Sequence, residues 1–144
     1  MKKLKSVKFL VIHCVANRCN RPFSVENLIA CGKAKYGQCS YHYYVRYDGS
    51  VIPLLPENVQ GVHARGYNYC SLGIVYEGGL DENGNPADTR TEAQKAAILF
   101  LLKDLKKDYP NAKVVGHRDF PNVRKECPCF DVASDPDYRL LNLD

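Results

Sequence analysis

No apolar run in the 144 residues approaches the ~18–20 needed for a membrane-spanning helix. The basic start, Met1 to Ser6, resembles the n-region of a secretory signal. The apolar stretch behind it is only Phe9-Leu10-Val11-Ile12 before His13, short of the roughly 7–15 residues of an h-region. The expectation is a chain made in the cytoplasm without a signal peptide. There is no CxxC, and no paired Cys or His spacing matches a zinc finger. Repeats, linkers and low-complexity segments are missing too, which excludes repeat arrays. A strong excess of one charge is also lacking: 20 Lys and Arg against 16 Asp and Glu leave +4. That is far from a nucleic-acid-binding tail, and no nucleic-acid partner is expected. It suits an anionic partner such as a cell wall, or plain solubility.

What is present describes one globular unit, residues 1–144, of 16.2 kDa. A chain of this length buries roughly 68–70% of its unfolded surface, enough for a real core. With 45% apolar and 25% charged residues, disorder and coiled-coil rods are excluded. The seven cysteines are many and odd in number. In a reducing compartment they read as thiols or metal ligands rather than disulfides. Cys14, Cys19, Cys31, Cys39 and Cys70 form no defensible disulfide framework.

Local patterns give the order β, α, ββ, β, α, β. Lys8 to Ile12 is a short β-branched run ending at His13. Ser24 is a helix N-cap, with Phe23 and Leu28 placed as a hydrophobic staple and Gly37 stopping a helix over 25–36. Tyr41 to Tyr47 and Ser50 to Ile52 form a hairpin about Asp48-Gly49. Leu72 to Tyr76 is a buried strand. Thr91 and Gln94 make a capping box for a helix to about residue 108, with Ala97, Ile98, Leu101, Leu102 and Leu105 as its apolar stripe. Lys113 to Val115 is a strand ending at Gly116-His117, and the remainder reads as loop. The fold class is α/β: a mixed central β-sheet flanked by helices, with a candidate site at strand ends.

His13 and His117 both follow the C-terminal end of an apolar strand, where α/β sheets usually form ligand sites. Cys127 lies ten residues beyond His117. Two imidazoles and a thiolate are a sound Zn²⁺ set that leaves a fourth position open, the layout of a catalytic site. Taken singly, a strand-end His is more often a hydrogen-bonded core or surface residue, and a Cys a small buried hydrophobe. Spacing alone does not join the three.

A wider set of motifs occurs in order: Val11-Ile12-His13-Cys14, Ser40-Tyr41-His42, Val62-His63-Ala64-Arg65-Gly66-Tyr67-Asn68, Ser71-Leu72-Gly73-Ile74, Gly78-Gly79-Leu80-Asp81, Thr91-Glu92-Ala93-Gln94, Gly116-His117-Arg118-Asp119 and Lys125-Glu126-Cys127-Pro128-Cys129-Phe130-Asp131. With these the sequence resembles the type-2 N-acetylmuramoyl-L-alanine amidases, especially the small phage enzymes called lysozymes. It also shares motifs with peptidoglycan-recognition proteins. The resemblance runs from about residue 8 to 131, leaving 132–144 as a C-terminal tail.

The resemblance implies one zinc per chain on His13, His117 and Cys127. It implies that Tyr41 assists the attacking water and that Lys125 stabilises charge on the scissile carbonyl. His63 and Asn68 match positions lining the substrate groove. The implied partner is peptidoglycan or its muropeptides, the implied reaction cleavage between N-acetylmuramic acid and L-alanine, and the expected state a monomer. Such an enzyme acts on the cell wall after release, as an endolysin. Cys127 and Val75 place the chain with relatives that use the tyrosine, rather than those with an Asp ligand and a Glu near Val75. Cys129 departs from the small residue usual there and sets a second thiol beside the implied ligand. The alternatives are a non-catalytic muropeptide-binding protein, and an amidase with an added regulatory protein partner.

Overall fold

In the computed structural model, which describes residues 1–143, strand β1 (Phe9–Cys14) lies within a five-stranded sheet and is almost wholly buried. A strand covered on both faces reads as a continuous apolar run, as β1 does. The sheet order is β4-β3-β5-β1-β7, with β3 (Tyr43–Val45), β4 (Val51–Pro53), β5 (Ser71–Tyr76) and β7 (Lys113–Gly116). All pairs are parallel except the β3–β4 hairpin, so the sheet is mixed. The two-residue strands β2 (Asn17–Arg18) and β6 (Gly79–Leu80) form a separate small ladder, too short for any periodic signal.

Alternation along β1 divides the core. Leu10, Ile12 and Cys14 point to the face covered by helix α2 (Glu92–Asp108), where they join Leu72, Ile74 and Tyr76 against Ile98, Leu102 and Leu105. Val11 points to the other face and packs with Ala64 and Phe120, and His13 shares that side by the same alternation. Helix α1 (Val25–Tyr36) covers the same face further along, through Leu28 against Tyr44 and Val75. The caps form as the sequence implies. Ser24 accepts from the Asn27 amide, and Thr91 and Gln94 bond reciprocally. Gln94 also donates to the Glu77 carbonyl at 2.8 Å, tying α2 to the end of the sheet.

The tail departs from the loop expected of it. Val132–Ser134 is a 3₁₀ turn and Pro136–Leu141 is helix α3, which packs on the α2 face through the buried Tyr138. Asp135 caps α3 and Pro136 occupies its first turn, a start signal too brief to stand out in six residues. Arg90 anchors the segment. Its guanidinium lies 3.5 Å from the Phe130 ring centroid and donates to Asp88 and to the Tyr138 hydroxyl.

Glu77 follows β5 and its side chain is only 1% exposed. It accepts from Arg46 at 2.9 and 3.1 Å and from the Phe23 and Tyr47 amides. Burial pushes its carboxyl up, but the Arg46 bonds and the two amides outweigh it and leave the net shift downward. A depressed folded pKa stabilises the fold above the unfolded value, and that stability is lost as pH falls through the folded value. Arg46→Ala should therefore cost about 2 kcal/mol near neutrality, because a buried carboxylate loses its cation. The deficit should shrink in acid, and urea unfolding of both proteins at two pH values measures it.

Candidate metal centre and groove

The parallel register brings together residues distant in sequence. On β7, Gly116 lies opposite Ile12 of β1, so the residues that follow, His117 and His13, emerge side by side. Their ring centroids are 4.6 Å apart. Gly116 matters beyond register: a Cβ there would meet the Pro128 ring at 2.9 Å, so glycine lets the Cys127 loop close over the strand end. The Arg118 amide donates to the Cys127 carbonyl at 3.0 Å, and the Tyr76 hydroxyl donates to the Pro128 carbonyl. These bonds place Cys127 Sγ 3.8 Å from His13 Nδ1. The donor atoms of His13, His117 and Cys127 all lie within 4.8 Å of one another.

This donor set suits zinc. Tetrahedral zinc with N and S ligands at about 2.0–2.3 Å needs N···S edges of about 3.5 Å, close to the observed separation. The protonation states agree. Burial pushes the His13 imidazole down, toward its neutral form, more than the Cys127 hydrogen bond raises it. Cys127 is driven toward thiolate, first by the hydrogen bond from the Cys14 thiol, then, against burial, by bonds from His117 and His13. Cys14 is held protonated by the same bonds to Cys127 and Cys129 and by burial. The Cys14 amide also points at Cys127 Sγ, at 3.3 Å.

The centre lines a groove with a cavity of about 840 Å³. Tyr41, His63, Asn68 and Lys125 also line it. Tyr41 packs edge-on to His13, with ring centroids 5.2 Å apart. Burial, then the nearby thiols of Cys127 and Cys14, push its phenol well up, so it stays protonated. Lys125 is exposed. Among the described residues the groove lining includes Lys35, Arg65, Arg124 and Lys125 and no carboxylate.

His63 and Asn68 line the groove and are also engaged inside the protein. His63 is buried, with Nδ1 2.9 Å from His13 Nε2 and Nε2 3.3 Å from Ser71 Oγ. Ser71 in turn donates to the Tyr67 carbonyl. The Asn68 side-chain oxygen accepts from the amides of His63 and Ala64, holding that loop in place. Gly73 makes room for the His63 ring, since a Cβ there would meet it at 2.7 Å. Two contributors were missed by sequence reasoning. Cys14 adjoins His13 but carries no signal that separates it from the other unassigned cysteines. His63 lines the groove as expected, but its contact with His13 spans a separation of 50 residues that no local pattern shows.

The α/β sheet carries at its strand ends a His/His/Cys donor cluster that could hold a metal ion, set in a groove. The chain matches the N-acetylmuramoyl-L-alanine amidase family over residues 3–130, and it belongs to that family. It is 33% identical over 132 residues to the endolysin of Enterobacteria phage K11, covering 91% of this chain and 85% of that one. It is 30% identical to the endolysin of Escherichia phage T7, covering 91% and 86%. The solved structure of N-acetylmuramoyl-L-alanine amidase LysC from Clostridium intestinale URNW superimposes with a TM-score of 0.79 at 25% identity, over 96% of this chain and 87% of that one. Among the described residues, no helix is long and apolar enough to cross a membrane.

Proposed function

We propose that this amidase is a zinc-dependent endolysin that hydrolyses the amide between N-acetylmuramic acid and L-alanine in peptidoglycan. The observation that carries the reading is the His13, His117 and Cys127 cluster facing an open cationic groove. The endolysin names of the phage relatives support the lytic role. A wall polymer with anionic stem peptides complements a groove lined, among the described residues, by four cations and no carboxylate.

Bound zinc supplies Lewis acidity, which activates water for attack near neutral pH. The remaining chemistry falls to the chain. Tyr41, held protonated, donates a hydrogen bond that orients reactants rather than acting as a free base. Lys125 also lines the groove, and its role in this reading is to supply a cation to the carbonyl oxygen as that oxygen gains negative charge. Water adds to the carbonyl carbon, the C–N bond breaks, and the proton given up by the water ends on the alanine amine. Muropeptide mass spectrometry tests the reading. Glycan strands freed of intact stem peptides support it, whereas cut glycosidic or peptide–peptide bonds refute it.

His63 supports the metal ligand. With Nδ1 of His13 toward Cys127, its Nε2–H donates to His63 Nδ1, and His63 Nε2–H donates to Ser71. This chain fixes His13 in the tautomer that ligation needs. His63→Ala should weaken zinc affinity about 10–100-fold, read by competition with a chromogenic chelator. Unchanged affinity would remove His63 from this role.

A further inference from the structure

Cys14 and Cys129 meet at the sheet end, where Cys14 borders the groove and joins the α2-face core. Alternation on β1 turns His13 to the groove and Cys14 to the α2 face. The loop after His117 wraps round that end, so both Cys127 and Cys129 pack against the α2-face core, with Cys127 Sγ toward His13 and Cys129 Sγ toward Cys14. Cys14 Sγ and Cys129 Sγ are 3.7 Å apart. Cys14 is 5% exposed, and Cys129 is half-buried, so a small oxidant reaches Cys129 first.

We infer that Cys14 and Cys129 are an oxidative crosslinking site, a disulfide that staples the Cys127 loop to β1 and spares the ligand thiol. With hydrogen peroxide as oxidant the step balances. Peroxide converts the Cys129 thiol to a sulfenic acid and releases one water. Cys14 sulfur then attacks the Cys129 sulfur, forming the S–S bond and releasing a second water. The sulfurs, 3.7 Å apart, need to close by about 1.7 Å to reach bonding distance, with the strand and loop already in contact. The pairing also consumes the thiol best placed to attack Cys127, which a zinc-holding site cannot lose. A chain that passes from a reducing cytoplasm to an oxidising wall thus changes its cross-linking without changing its ligand set. The thiol pair is read from geometry alone, whereas the spared zinc ligand and the passage to the wall rest on the proposed function; the test uses no activity measurement, so the two can fail separately.

The zinc-loaded protein, exposed to equimolar hydrogen peroxide, should lose about 2 Da in intact mass. Tandem mass spectrometry should join Cys14 to Cys129. Fragment spectra are essential because trypsin, cutting after Lys125 and Arg139, leaves Cys127 and Cys129 on one peptide. Zinc content should be unchanged, and the melting temperature should rise by roughly 5 °C or more, because the bridge closes most of the chain into a loop. Cys129→Ser should show neither the linkage nor the rise. A bridge from Cys14 to Cys127, both Cys14 and Cys129 still open to alkylation after denaturation, or the same rise in Cys129→Ser would each overturn the inference.

Discussion

Cys127→Ser should lose zinc and turnover together. Cys127 is driven toward thiolate by its surroundings: the Cys14 amide points at its sulfur at 3.3 Å, and the donor atoms of His13 and His117 lie within 4.8 Å of it. A hydroxyl at the same place keeps its proton at neutral pH and is a far poorer zinc ligand. Zinc content of the purified variant should fall to under about a tenth of wild type. Turnover should fall about 10³-fold or more, because Lewis-acid stabilisation is worth several kcal/mol and each ~1.4 kcal/mol is tenfold. Ligation also needs deprotonated ligands, so a chelator should strip zinc from the unaltered protein faster as pH falls, and because Cys127 and His13 are both held down this should begin well below the usual thiol and imidazole ranges. A variant that keeps full zinc would exclude Cys127 as a ligand, and elemental analysis decides it.

Tyr41→Phe and Lys125→Ala should behave in the opposite way, keeping zinc and fold while losing turnover. Neither residue belongs to the three-residue donor cluster, yet both line the groove beside it. Loss of a single oxyanion-stabilising donor costs about 10²–10³ in rate, and general acid–base assistance is worth about 10²–10⁴. Losses of that order are expected in kcat for each variant, with peptidoglycan binding largely retained. The check is steady-state hydrolysis of purified peptidoglycan alongside zinc content and a pull-down on insoluble wall. A zinc-replete variant with near wild-type turnover would remove that residue from the mechanism. Equal zinc loss in both would show structural support instead of catalysis.

Elements with a strong local signature were legible in the sequence. Ser24, the Thr91–Gln94 box and Asp48-Gly49 each close their own hydrogen bonds within a few residues, and each forms as expected. Short or irregular elements were not. The β2–β6 ladder has two residues per strand, and α3 has six, so neither offers a period to read. Resemblance brought His13, His117 and Cys127 together before any geometry did, because eight ordered motifs carry more information than three spacings.

The sequence by itself determined the apolar strand runs, the capped helices and the residue types able to hold zinc, because these depend on neighbours within one turn or one strand. Only the tertiary structure decided which side chains meet. The parallel register of β1 with β7 puts His117 beside His13. The path of one loop sets Cys127 against the groove face and Cys129 against Cys14, 115 residues away along the chain. The close approach allowed by Gly73 turns His63 onto His13. Contacts across such separations arise from packing two sheet faces around a shared edge, and no local pattern of residues encodes that edge.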